Sequence, residues 1–358
     1  MRIAVLGGGH GCYAAAADLS EAGHEVRLWR RDAAALAPVV EAGTIGLIDA
    51  NGSRDVGIAM ATADIGAALA GAELIVVPSP AIAQEDIARA MAPHLRSGQV
   101  VFLPPGTFGS FVMARIVRAA GSKAEVAWAE TGTLPYLARK AGPREVRVTI
   151  RAVRLPTGVY PARRADEALA VIARAYPSVH GCGDALSGAL MNAGPIIHPP
   201  LMVMNAAPLQ HFERWDIHAE GTQPAVRAVT DRLDRERIAV REALGYAAPH
   251  YPLADHYTSD RWMYGDAHKR LVDSGDWREH IVLTQHRYML EDVRIGLSFL
   301  VSCGELAGVP TPLARAFLAI GGSICGEDFM QTGRTLNSLG IGGLGRSVLQ
   351  AVLATGMR

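Results

Sequence analysis

The sequence has no surplus of either charge: 35 lysines and arginines stand against 35 aspartates and glutamates. A chain that lives on nucleic acid or on an acidic membrane surface needs a basic excess, so both partners are excluded. Cysteine is scarce too. Cys12, Cys182, Cys303 and Cys325 lie far apart with no C-x-x-C among them, which excludes a disulfide framework and a zinc ribbon, and no metal site is expected. No run of roughly 18 apolar residues is present, as a membrane span would need. The opening Met1–Leu6 is too short for a signal-peptide core and reads as a buried strand. These absences predict a cytoplasmic protein.

What is present is apolar material: 49% hydrophobic and 20% charged residues in 358, enough for about two packed cores at roughly 150 residues each. The first half alternates strand candidates (Ile3–Leu6, Glu25–Trp29, Glu73–Val77, Val100–Leu103, Glu125–Ala129) with Ala-rich helical stretches such as Tyr13–Ala22 and Ile82–Met91. That alternation predicts a parallel sheet with helices on both faces, which Val146–Val153 would extend at its far edge. Beyond about Tyr176 the period becomes helical. Val226, Val229, Leu233, Val240 and Leu244 form one stripe ending at Gly245, and a second apolar helix is expected from about Tyr288 to Ala307. The predicted fold is α/β: an N-terminal Rossmann-type doubly wound parallel sheet over residues 1–182, then a mainly α-helical domain over 183–358.

Gly7-Gly8-Gly9-His10-Gly11-Cys12 follows the first strand and opens a helix. In a dinucleotide loop, Gly7 makes the tight turn, Gly9 admits a pyrophosphate, Gly11 lies beside it, and Cys12 takes the small position where helix packs on strand. The plain alternative is an ordinary Gly-rich turn. About 20 residues on, where NAD enzymes offer an acid to the ribose, stand Arg30, Arg31 and Asp32. Two guanidinium groups suit a 2′-phosphate, so NADP(H) is favoured and NAD(H) remains open. The competing reading has two exposed arginines, with Asp32 on the ribose. The turn at Pro78 is a candidate wall for the nicotinamide half.

In the second half, His198 is the one imidazole in the apolar run Met191–Pro200, either a catalytic group or a satisfied core histidine. Arg287 and Asp292 open a helical stretch. On an α-helix i,i+5 residues diverge, while Arg287 and Glu291 share a face and form a plain salt bridge in the alternative reading. The aromatic stretch His256–Tyr264 is either an amino-substrate pocket walled by Trp262 or Tyr264, or a loop between domains.

Six segments together resemble one family: the glycine loop, Asn192–Pro199, Asp234–Ala239, Arg287–Val293, Val309–Pro312 and Asp328–Leu336. Over nearly its whole length the chain is similar to opine dehydrogenases of the octopine/nopaline type, including bacterial N-(1-D-carboxyethyl)-L-norvaline dehydrogenase. The resemblance implies NAD(P)H-dependent reductive condensation of an α-keto acid with an amino acid or amine, through an imine. It implies His198 as acid/base, Asp292 as the group orienting it, Arg287 as the clamp on the keto-acid carboxylate, and Glu130 facing the amino substrate. Two other functions remain: a ketopantoate- or 2-hydroxyacid-type reductase that needs no amine, and a dinucleotide-binding protein without catalysis. A homodimer is compatible with the helical domain.

Overall fold

The structure, a computed structural model, describes residues 1–357. They fall into two compact units, Met1–Ala189 with the returning Ala354–Gly356, and Leu190–Leu353. The first unit extends seven residues beyond the expected end at 182, through the helix Ala185–Ala189. The reason is steric. A Cβ added at Gly188 would lie 2.6 Å from the Glu130 carbonyl oxygen and 2.8 Å from the Gly158 nitrogen. Backbone this close to the sheet belongs to the sheet's core.

Twelve strands form two sheets in this unit. They are β1 (Arg2–Leu6), β2 (Glu25–Trp29), β3 (Thr44–Asp49), β4 (Gly52–Gly57), β5 (Met60–Thr62), β6 (Leu74–Val76), β7 (Val100–Leu103), β8 (Ala127–Thr131), β9 (Tyr136–Lys140), β10 (Glu145–Arg151), β11 (Leu155–Tyr160) and β12 (Val179–Asp184). The main sheet runs β12-β11-β8-β7-β6-β1-β2-β5 and is parallel from β8 to β5; β11 turns antiparallel to β8. Ile3, Ala4, Val5 and Leu6 have no exposed surface, as expected of a strand covered on both faces.

The expected extension of this sheet by Val146–Val153 is not found. β10 instead joins a second sheet, β4-β3-β10-β9. The hairpin β3–β4 turns through Ala50-Asn51, and Gly52, the first residue of β4, sits at φ +99°. The helix His10–Glu21 packs against strands of both sheets, and Ala14, Ala15, Ala16 and Ala17 are all buried. A run of alanines permits close approach on two sides where larger side chains would not. At its far end Asp18 accepts from the Tyr136 hydroxyl (2.9 Å) and the Arg151 Nε (2.7 Å), tying helix to second sheet.

The second unit is helical. Its 20-residue helix Pro224–Ala243 buries Val226, Leu233 and Val240, while Val229 is only partly covered. The same face buries charge. Asp234 accepts from Arg237 Nε (2.6 Å) and the Leu253 amide (2.7 Å), and Arg237 donates to the carbonyls of Leu190 (3.0 Å) and His250 (2.9 Å). Glu236 accepts from the Leu313 and Ala314 amides (2.8 and 3.1 Å), capping the helix Pro312–Cys325. The motif Asp234–Ala239 is therefore architectural: its three buried charges, Asp234, Glu236 and Arg237, satisfy backbone that a helical domain otherwise leaves unpaired. Glycine in the left-handed region follows at Gly245 (φ +90°). No helix among the described residues is long and apolar enough to cross a membrane.

Candidate active site

The glycine loop has the conformation its residues require. Gly7 sits at φ +128°, and a Cβ there would lie 2.5 Å from Ser79 Oγ and 2.7 Å from Cys12 Sγ, so no other residue fits. At Gly9, the residue before the helix His10–Glu21, an added Cβ would meet nothing within 4 Å. A bare, open backbone beside helical N–H groups is the surface a pyrophosphate needs. At Gly11 a Cβ would approach Leu134 at 3.1 Å and Pro78 at 3.4 Å. Cys12 is buried, with its thiol pushed up to about 11 by burial, so it packs and does not ionise. Pro78 is buried behind the loop, its carbonyl 3.8 Å from Cys12 Sγ. These residues fit a dinucleotide.

The three charged residues after β2 separate in the structure. Asp32 accepts from the Ala35 amide (3.0 Å) as the N-cap of the helix Ala33–Ala42, so its carboxylate is engaged. Arg31 is exposed and pairs with Asp86 at 3.3 Å. Arg30 alone lies on the loop: a Cβ at Gly8 would come within 2.6 Å of its Cδ and Nε. Lys140, at the end of β9, reaches the same loop with its ammonium 3.7 Å from the Tyr13 ring centroid. The sequence carried no period or motif that marked it.

Glu130 lies beneath a turn. None of its surface is exposed, and its carboxylate accepts from the Phe108 amide (2.7 Å) and the Ser110 hydroxyl. Thr107 and Phe108, both in the left-handed region at φ 52° and 65°, are held by this buried acid. The turn covers the carboxylate, so Glu130 holds backbone in the first unit.

The second unit brings His198, Asp292, Arg287 and Tyr288 together. His198 stands in the helix Gly194–Val203, which packs on the segment Tyr288–Leu297. That segment is a π-helix, not the expected α-helix, and continues as the α-helix Ser298–Ala307. Its i→i+5 bonding widens each turn, so Arg287 and Asp292, five apart, return toward one face. The divergence expected from α-helical geometry is thereby reduced. His198 Nδ1 lies 2.6 Å from Asp292 Oδ2. The imidazole also stacks on the Tyr288 ring, centroids 3.6 Å apart at 11°, and the Arg287 guanidinium carbon is 5.3 Å from that ring's centroid. Arg287 itself is exposed, as a clamp for a soluble anion must be.

Burial pushes the Asp292 carboxyl up to about 7, against the pull of Arg287 and His286. Gly194 makes the approach possible, since a Cβ there would stand 2.3 Å from Asp292 Oδ1. Asn192 accepts from the Gly194 amide (3.0 Å) and fixes the turn into the helix, a signal legible as Asn-x-Gly. His218 stands edge-on to His198 at 6.4 Å and went unmarked among 12 histidines. Trp262 is 3% exposed, its ring 4.6 Å from that of His256 and 5.4 Å from that of Tyr264. Trp262, Met263 and Tyr264 are packed core, while Thr258, Asp260 and Arg261 between them and His256 are exposed.

Residues 181–325 match the family described as NAD/NADP octopine/nopaline dehydrogenase, alpha-helical domain. Over 351 residues, 95% of each chain, the sequence is 31% identical to an opine dehydrogenase of Arthrobacter sp. (strain 1C). The chain belongs to the opine dehydrogenase family. Members of that family are dinucleotide-dependent oxidoreductases acting on CH–NH, and this chain is one by descent. Its fold is shared with an octopine dehydrogenase solved with NADH and agmatine, at TM-score 0.72 and 18% identity over 99% of this chain and 98% of that one. It is shared also with a yersinopine dehydrogenase solved with NADP+, at TM-score 0.67 and 16% identity over 99% and 98%. The opine dehydrogenase fold thus accounts for both units, with a nicotinamide dinucleotide as cofactor.

Proposed function

We propose that the protein joins an α-keto acid to an amino acid or amine and reduces the resulting imine, with NADPH preferred over NADH. The observation that carries this reading is the His198–Asp292 pair at 2.6 Å, with Arg287 at the N-terminus of the π-helix that carries Asp292. The nicotinamide supplies the hydride. The amine nitrogen attacks the keto carbon, water leaves, and the imine carbon accepts the hydride. Loss of water and reduction both need a proton delivered at a defined place. With Nδ1 committed to Asp292, Nε2 of His198 is the atom for it, and the carboxylate stabilises the charged ring. Arg287 presents a fork that matches the keto-acid carboxylate. Trp262 acts as packing behind an amine site, not as an exposed wall. The amine class is supported by the agmatine of the octopine dehydrogenase, and the NADPH preference by Arg30 on the loop, by Asp32 being engaged elsewhere, and by the NADP+ of the yersinopine enzyme.

The test is NADPH oxidation with pyruvate, 2-oxoglutarate or glyoxylate, each with and without a panel of amino acids and amines. Mass spectrometry should find the N-carboxyalkyl product. Oxidation by keto acid alone would assign the protein to hydroxyacid formation instead. Tight NADPH binding without turnover of any pair would make it a binding protein.

A further inference from the structure

The pairing of Arg31 with Asp86 withdraws one of the two cations that the sequence offered to a 2′-phosphate. We propose that Lys140, from β9 of the second sheet, replaces it. With Arg30 it forms a two-cation site on the glycine loop for the phosphate monoester of NADP(H), an inference that rests on the NADPH preference above.

The two side chains reach the loop from opposite directions in sequence. Arg30 lies across Gly8. Lys140 is anchored at the next turn: its backbone amide donates to His10 Nδ1 (2.8 Å), and its ammonium rests 3.7 Å over the ring of Tyr13, in the first turn of the helix. Both are half-buried. Neither contacts a carboxylate among the described residues. Arg30 donates to the Ala35 carbonyl (3.1 Å) and Lys140 to the Pro143 carbonyl (3.3 Å), neutral acceptors that leave both charges uncompensated. Burial lowers the Lys140 ammonium from its ordinary value, and repulsion from Arg30, with no counter-ion between them, adds to the cost. A dianionic phosphate monoester supplies the missing charge, whereas the ribose hydroxyls of NAD(H) do not. Ring contact with Tyr13 holds the ammonium in place before the ligand arrives.

The test is equilibrium binding of NADP+ and NAD+, read by protein fluorescence, for wild type, Lys140→Met and Arg31→Met. Methionine keeps the apolar stem on Tyr13, and NAD+ affinity serves as the control for folding. Lys140→Met should raise the Kd for NADP+ about tenfold, a change of ~1.4 kcal/mol, with the NAD+ Kd unchanged. Arg31→Met should change neither. An unchanged NADP+ Kd in Lys140→Met overturns the inference, as does an equal rise for both dinucleotides, which would place Lys140 on a group they share. Equal losses in the two variants would overturn the exchange of Arg31 for Lys140. If the wild type binds NAD+ more tightly, the cofactor preference itself fails; if it prefers NADP+ and Lys140→Met keeps that preference, only the role of Lys140 fails.

Discussion

His198 and Asp292 carry the argument at the level of single residues, because each constrains the other. A histidine in an apolar run is ambiguous until a partner is found, and here a carboxylate sits 2.6 Å from its Nδ1. His198→Ala should leave the dinucleotide Kd unchanged, since the glycine loop is in the other unit, while kcat falls by about 10² or more; near-native turnover would remove His198 from the chemistry. Arg287→Ala should raise the keto-acid KM with little effect on the amine KM, and an unchanged keto-acid KM would sink the clamp. Asp292 titrates near 7, held up by burial. As the pH falls through that value the carboxyl gains a proton and ceases to stabilise the imidazolium. The wild-type kcat/KM profile should therefore show an acid limb near 7 that Asp292→Asn lacks, and an identical limb in the variant would assign it to another group.

At the level of elements, the π-helix Tyr288–Leu297 decides what the sequence left open. On an α-helix Arg287 would point about 140° away from Asp292; the wider turn narrows that angle, so that Arg287 faces Asp292 as well as Glu291. Nothing in the order Arg-Tyr-Met-Leu-Glu-Asp signals that winding, because it is selected by packing against the helix Gly194–Val203. Close packing there depends on Gly194. Gly194→Ala should displace Asp292, since its Cβ would stand 2.3 Å from Oδ1, and cost at least tenfold in kcat with a folded, NADPH-binding protein. Wild-type turnover in this variant would show that Asp292 has room to spare. The family motifs divide on the same physical ground. Asp234, Glu236 and Arg237 satisfy backbone groups, whereas the His198 and Arg287–Asp292 segments meet at a site.

For the whole molecule, neutral net charge conceals several histidines whose protonation folding opposes. Burial lowers His24, His250, His256 and His268, and His256 falls to about 3. Unfolded, each would bind a proton from about pH 6.5 downward. Below that pH the unfolded chain holds more protons than the folded one, so stability is lost on acidification. Asp292 and Asp231, both raised by burial, act in the opposite sense above about 4, two groups against four. The Tm measured by calorimetry should drop from pH 7.5 to 5.5, and drop less in His256→Leu; an equal drop in that variant would exclude His256 as a source of acid lability.

The chain sequence by itself determined the elements whose chemistry is local. The buried strands, the glycine loop with its positive-φ Gly7 and the long amphipathic helix are all set by side-chain type and spacing over a few neighbours. Tertiary structure alone decided which charges are spent. Asp32 became a helix cap, Arg31 an exposed ion pair and Glu130 the anchor of a strained turn, while Lys140, distant in sequence, came to lie on the dinucleotide loop. A balanced tally of 35 against 35 carries no trace of those assignments. Electrostatic partners are chosen by distance in space, and a polar side chain is equally competent for several of them until packing selects one.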